Sequence, residues 1–155
     1  YYVIDFNIVL GEWQMREIEF RVWDHSYQEM VNSVSIIHCD LLNKTDVRYY
    51  VGKTYVLKGA YSVDIELMQH TGLIDKNRAD IYEGDIVKAI DIDTGEESLH
   101  TVKYYAYDDY PAFDLSPALF EESNSFSGIA CSMQYEIEVV GNIYENSELM
   151  EVKND

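Results

Sequence analysis

Glu83 and Asp85 flank Gly84 and are the carboxylates best set for acid–base work, since two of them in one turn could share a proton donor's and an acceptor's roles. No nucleophile or pocket motif stands beside them, and Glu-Gly-Asp is also ordinary turn chemistry. The histidines His25, His38, His70 and His100 are scattered. His38 and Cys39 are adjacent, so in a strand they point to opposite faces, and no zinc-ligand spacing appears. Cys131 carries no local nucleophile motif. Asp91-Ile92-Asp93-Thr94-Gly95 begins like a calcium loop, but it lacks the oxygen ligand at the fifth position and the Glu at the twelfth, and reads as a hairpin turn. Neither a phosphate-cradling glycine loop nor a serine-hydrolase elbow occurs. No cofactor or metal is expected. The remaining constellation is a contact surface. Asp108, Asp109 and Asp114 lie among Tyr104, Tyr105, Tyr107 and Tyr110, where tyrosines suit an interface and carboxylates would select a basic partner.

The elements that hold these residues are predicted strands. Ile18, Phe20 and Val22 alternate with Glu17, Glu19 and Arg21 in a strand from Met15 to Trp23. His25 to Gln28 is a turn and Val34 to Cys39 a second strand. Val47 to Leu57 reads as a hairpin folded about Gly52-Lys53. Val63 to Gln69 is a strand, followed by turn formers from Thr71 to Arg78. Ile86 to Ile92 and Leu99 to Tyr107 pair across Asp93-Thr94-Gly95-Glu96. Residues 108–128 are the least regular, with Ser116-Pro117 set to start a short helix through Glu122. In Gln134 to Tyr144, Tyr135, Ile137 and Val139 alternate with Glu136 and Glu138, and Ser147 caps a final turn. Gly72, Gly84 and Gly141 sit where turns or bulges need backbone freedom. With Glu83 and Asp85 they form a structural turn motif. Such closely spaced strands predict a mainly β chain with short helices: a small SH3-like or partly open barrel with additional N-terminal strands. The expected division is residues 15–60, β-rich, and 61–155, barrel-like, with one compact unit of both as the alternative.

Composition narrows the partners. The chain has 155 residues and a formal net charge of −18, with 29 acidic residues against 11 basic ones. Residues 101–155 carry only Lys103 and Lys153 as cations. Such a surface repels phosphates and anionic membranes. A basic protein would be drawn to it. Hydrophobic content of 47% allows a real core. Cys39 and Cys131 are too few for a disulfide framework and are expected as reduced, buried thiols in a reducing compartment. No apolar run approaches the roughly 20 residues of a membrane helix, and no signal peptide is visible.

Residues 1–14 admit two readings. Gly11-Glu12 can be encoded by a purine-rich, ribosome-binding-like stretch shortly before Met15, which would make these residues a translated leader. Alternatively, Tyr1 to Leu10 is strand-like and belongs to the protein.

Three ordered motifs resemble the YopX family. They are Met15-Arg16-Glu17-Ile18-Glu19-Phe20-Arg21-Val22-Trp23-Asp24; Leu67 to Asn77 followed by Ile81-Tyr82-Glu83-Gly84-Asp85-Ile86-Val87; and Val139-Val140-Gly141-Asn142-Ile143-Tyr144-Glu145-Asn146. The resemblance runs from Met15 to about Leu149 and leaves residues 1–14 outside. It implies a phage or prophage origin and a mostly β fold, hence the bacterial cytoplasm, but no activity and no catalytic residue. The expected role is a noncatalytic protein-interaction domain. One version is an acidic decoy that occupies the basic site of a nucleic-acid-handling protein. The alternatives are a small hydrolase using carboxylates and a self-assembling structural component.

Overall fold

The computed structural model describes residues 18–39, 44–51, 53–59, 63–105, 111–120 and 126–151. The expectations for residues 1–14, for Gly52 and for Tyr107, Asp108, Asp109 and Tyr110 fall outside these. Among the described residues the chain is mainly β, with a curled half-barrel sheet and one short helix, so the partly open form is the one realised. Two compact units meet in sequence between Leu67 and Met68.

The first unit contains β1 (Phe20–Asp24), β2 (Glu29–Val31), β3 (Val34–Cys39), β4 (Lys44–Val51), β5 (Thr54–Gly59) and the start of β6 (Ile65–Ile74). β1 and β2 pair antiparallel with Val22 opposite Val31. β3, β4 and β5 form a three-stranded antiparallel sheet. Their core is Val22, Val31, Val47, Tyr49, Val56 and Ile65. The alternation expected along β1 does not hold. Ile18 is exposed, whereas Arg21, Val22, Trp23 and Asp24 are all buried. β1 lies between β2 and β6 and is covered on both faces, so neither parity of the strand meets water.

Asp24, fully buried, ties this unit together. Its carboxylate accepts hydrogen bonds from the Ser26 amide at 2.8 Å and the Tyr27 amide at 3.3 Å, which closes the turn after β1. It also accepts one from the Tyr49 hydroxyl at 2.5 Å, across the core from β4. Lys58 Nζ approaches at 3.4 Å from β5.

The second unit holds the rest of β6, then β7 (Asp80–Tyr82), β8 (Asp85–Asp91), β9 (Glu97–Tyr105), β10 (Ala112–Ser116), α1 (Phe126–Ala130) and β11 (Tyr135–Asn142). Its main sheet has the order β10-β9-β8-β11. The core gathers Ile81, Val87, Ala89, Val102, Leu115, Phe126, Ile129 and Ile137. β11 alternates as expected, with Ile137 in the core and Glu136 exposed.

Several expectations are corrected here. Thr71 to Ile74 is not a turn: β6 continues to Ile74, and the register shift between His70 and Ile74 absorbs the turn-forming residues, with Gly72 at φ 83°. Ser116 ends β10 and starts no helix; the helix begins at Phe126. The final 3-10 turn, Ser147–Met150, follows Asn146 and has no side-chain cap. Cys131 is exposed, because α1 ends at Ala130 and the thiol falls just past the face that Phe126 and Ile129 bury.

Candidate interaction surface

Strand alternation makes the surface. In β4, Val47 and Tyr49 point into the core, so Arg48 and Tyr50 must point out. In β5, Val56 points in, so Tyr55 and Leu57 point out. The register places Tyr50 opposite Tyr55 and Arg48 opposite Leu57. Tyr50, Tyr55 and Leu57 are 61%, 49% and 52% exposed, high for side chains of this size on one sheet face. The Tyr50 and Tyr55 rings meet edge to face at 5.4 Å between centroids. Lys53, in the turn between the strands, is also exposed. The Tyr49–Asp24 bond holds the opposite face of β4, so the outer residues stand on an anchored strand.

Sequence reasoning found this hairpin but not its surface. Both parities of Val47 to Leu57 carry apolar or aromatic residues, so period-two patterning could not tell inside from outside. The usable signal was Arg48, which shares its parity with Tyr50 and marks the wet face.

The surface expected near residues 104–114 is described only in part. Tyr104 and Tyr105 are exposed at the end of β9, and Tyr104 packs against Phe113 of β10 at 5.1 Å. Asp114 is half-buried opposite Lys103. Burial pushes its carboxyl above the usual range, opposed by the Leu115 amide.

The carboxylates of the Glu83-Gly84-Asp85 turn are spent on structure. Asp85 is 1% exposed, and its carboxylate accepts the Tyr82 amide at 2.8 Å. Glu83 is half-buried, and burial raises its carboxyl despite hydrogen bonds from the Tyr104 and Gln69 backbone. Gly84 has φ 79°, and an added Cβ would lie 3.3 Å from Met68 Sδ. Gly84→Ala is expected to cost about 1–2 kcal/mol, read as a lower denaturation midpoint; an unchanged midpoint would show that the turn relaxes freely. Gly141 sits at the register shift of β11, where a Cβ would meet Asn146 Oδ1 at 2.5 Å.

His100 is buried in the second unit. Its Nδ1 lies 2.7 Å from the Pro117 carbonyl, which can only accept, so Nδ1 carries a proton. Ser98 Oγ is 2.7 Å from Nε2. Among the described residues, no three of His, Cys, Asp and Glu converge as a metal set. No helix among them is long and apolar enough to cross a membrane.

Asp91 shapes the β8–β9 turn. Its Oδ1 accepts the Asp93 and Thr94 amides, both at 2.9 Å. The same turn exposes Asp93, Glu96 and the apolar Ile92, and the Ile92 amide bonds the Gln134 carbonyl at 2.9 Å. That bond ties the turn to the segment that carries the exposed Met133.

Fold and surface together define a mainly β protein whose best-formed external features are an aromatic sheet face and an acidic turn. The family model described as YopX protein matches residues 19–151, and the chain belongs to the YopX family. Protein EF1440 from Enterococcus faecalis is similar at 27% identity, covering 87% of this chain and 99% of that one, with a TM-score of 0.56. Protein yopX from Bacillus subtilis is similar at 22% identity, covering 86% and 98%, with a TM-score of 0.55, a likeness of fold. No curated protein matches.

Proposed function

We propose that this chain is a noncatalytic protein-interaction module and that the outer face of β4 and β5 is its contact surface. The observation that carries the reading is Tyr50, Tyr55 and Leu57, each about half exposed or more and adjacent in cross-strand register. Tyrosines lose little side-chain entropy on docking and supply large contact area, which makes them frequent interface anchors. The hydrolase alternative loses support, because the Asp85 carboxylate is buried against the Tyr82 amide.

The decoy version uses a different surface. It draws support from Asp93 and Glu96, exposed on the β8–β9 turn of a chain carrying −18.

The test is a photo-crosslinking residue at position 57, irradiated in bacterial lysate. A discrete adduct is expected, lost when Tyr50→Ala and Tyr55→Ala are combined. Finding no adduct of any kind, even with another copy, would sink the reading. A crosslinker at position 93, scanned over salt, tests the decoy: its adduct with a basic partner should fade as salt rises.

A further inference from the structure

The aromatic face carries charge of the opposite sign to most of the chain. Between residues 44 and 58 stand Lys44, Arg48, Lys53 and Lys58 against the single carboxylate Asp46. Lys58 turns inward to Asp24, while Arg48 and Lys53 are exposed on or beside the face. Asp46, half-buried, shares the parity of Arg48 in β4, so the patch is apolar at its centre and carries two exposed cations against one carboxylate at its margin, in a molecule of net charge −18.

Its chemical complement lies in the second unit. At the β8–β9 turn, Ile92 is 52% exposed, and Met133, next in sequence to the Gln134 whose carbonyl the Ile92 amide bonds, is 94% exposed. Asp93 and Glu96 are exposed on the same turn. The turn is held in shape by Asp91 and by the Gly95 amide, which bonds the Asp91 carbonyl at 2.8 Å. It presents an apolar tip with an anionic margin.

We propose that the β4–β5 face takes the β8–β9 turn of a second copy of this chain, with Ile92 and Met133 against Tyr50, Tyr55 and Leu57, and with Asp93 and Glu96 facing Arg48 and Lys53. The inference rests on the protein-interaction reading and names its partner. Met is well suited to such a contact, because its flexible thioether packs favourably against aromatic rings. The paired charges fix register and speed encounter more than they add affinity. Because face and tip are different patches, the contact is heterologous: a joined pair keeps one free face and one free tip, so copies add head to tail into a ring or an open chain. An exposed tyrosine pair beside an arginine could also stack single-stranded nucleic acid. A phosphate chain, however, must approach a particle of charge −18, whereas the second copy supplies carboxylates and an apolar tip together.

Sedimentation velocity on the whole chain, followed over concentration, tests this. The wild type should shift to faster-sedimenting species as concentration rises. Arg48→Glu with Lys53→Glu should weaken self-association about tenfold or more, and so should Asp93→Lys with Glu96→Lys. Thermal melts confirm that each variant is folded. The decisive arm mixes the two variants. The unreversed tip of the first meets the unreversed face of the second, and the reversed face meets the reversed tip with opposite charges again, so the mixture should recover the assembly that neither variant shows alone. A wild type that stays monomeric throughout, or a mixture that does not recover the assembly, overturns the proposal. So does a fluorescent oligothymidine that binds the wild type and is released by Tyr50→Ala with Tyr55→Ala. If the position-57 crosslink joins a foreign protein and never a second copy, self-docking fails while the interaction reading stands.

Discussion

Replacing Asp24 by Ala should cost about 3–5 kcal/mol of stability, the largest effect of any single substitution considered for this protein. The carboxylate has no solvent exposure and four neighbours that donate to it. Removing it leaves the Tyr49 hydroxyl buried without an acceptor and strips Lys58 of its buried counter-charge. Each orphaned group carries its own desolvation cost of about 1–3 kcal/mol. The readout is the urea midpoint of the first unit, followed by the Trp23 fluorescence that its core controls. Lys58→Met should cost far less, about 1 kcal/mol or below, because Lys58 is partly solvated and its contacts are loose. If Asp24→Ala leaves the midpoint unchanged, the carboxylate does not anchor this unit.

The same network sets a pH dependence whose sign can be worked out. Burial pushes the Asp24 carboxyl up, but bonds from Tyr49 and from the Ser26 and Tyr27 amides, with the charge of Lys58, outweigh it and hold the group below the usual 3.8. A carboxyl depressed in the folded state contributes stability above its unfolded value and loses that contribution as pH falls through the folded value. The contribution of Asp24 is therefore complete above pH 3.8 and is lost as pH falls below it through the folded value. Tyr49 behaves in the opposite sense. Burial, then its bond to Asp24, raises the phenol above the usual 10.0. Its contribution is complete below pH 10.0 and declines as pH rises from there toward the folded value. Tyr49→Phe should remove that alkaline decline.

The second large effect is at Asp75. Asp75→Ala should cost about 2–4 kcal/mol and should loosen β11 at a distance in sequence. Asp75 is 6% exposed. One carboxylate oxygen accepts the Asn77 amide at 2.7 Å and the Ala79 amide at 2.8 Å. The other accepts the Val139 amide at 3.1 Å. The turn after β6 is thus bonded to β11, an arrangement reinforced by the Lys76 amide on the Ile137 carbonyl at 2.8 Å. Hydrogen exchange is the right measurement, because it reads the second unit by itself. The Asn77, Ala79 and Val139 amides should all exchange faster in the variant; unchanged protection at Val139 would refute the link. Asp75→Asn should be intermediate. Its remaining oxygen can still accept from Asn77 and Ala79, but its amide group would face the Val139 donor. Burial raises the Asp75 carboxyl, and the backbone amides of Ala79, Val139 and Asn77 more than offset it. This group too is depressed, so its contribution is lost as pH falls through the folded value, and Asp75→Asn should blunt that loss.

These two carboxylates show where sequence reasoning stops. Asp75 stood in a run of turn formers, and the turn was legible there because Asx chemistry is local. Its third bond was not, since Val139 lies 64 residues away. Asp24 ended a strand with no local mark of importance, and its partner Tyr49 is 25 residues distant. Patterning worked where one strand face met water and the other met the core, as along β11. It failed along β1, where both faces are covered and alternation carries no information. It failed at β6 for a different reason: turn-favouring residues at Thr71 and Gly72 were absorbed by a register shift instead of reversing the chain.

What the sequence determined by itself was local and compositional: a mainly β chain, a strongly acidic surface, most of the turns, and the motifs that mark the YopX family. Dihedral preference and side-chain period act over a few neighbouring residues, so they survive without a fold. Only the tertiary structure decided which parity of β4 and β5 faces outward, that Asp85 serves its own turn, and that the Ile92 amide bonds the Gln134 carbonyl. Each of these depends on which strands become neighbours, and that is set by the burial of the whole core rather than by any one segment.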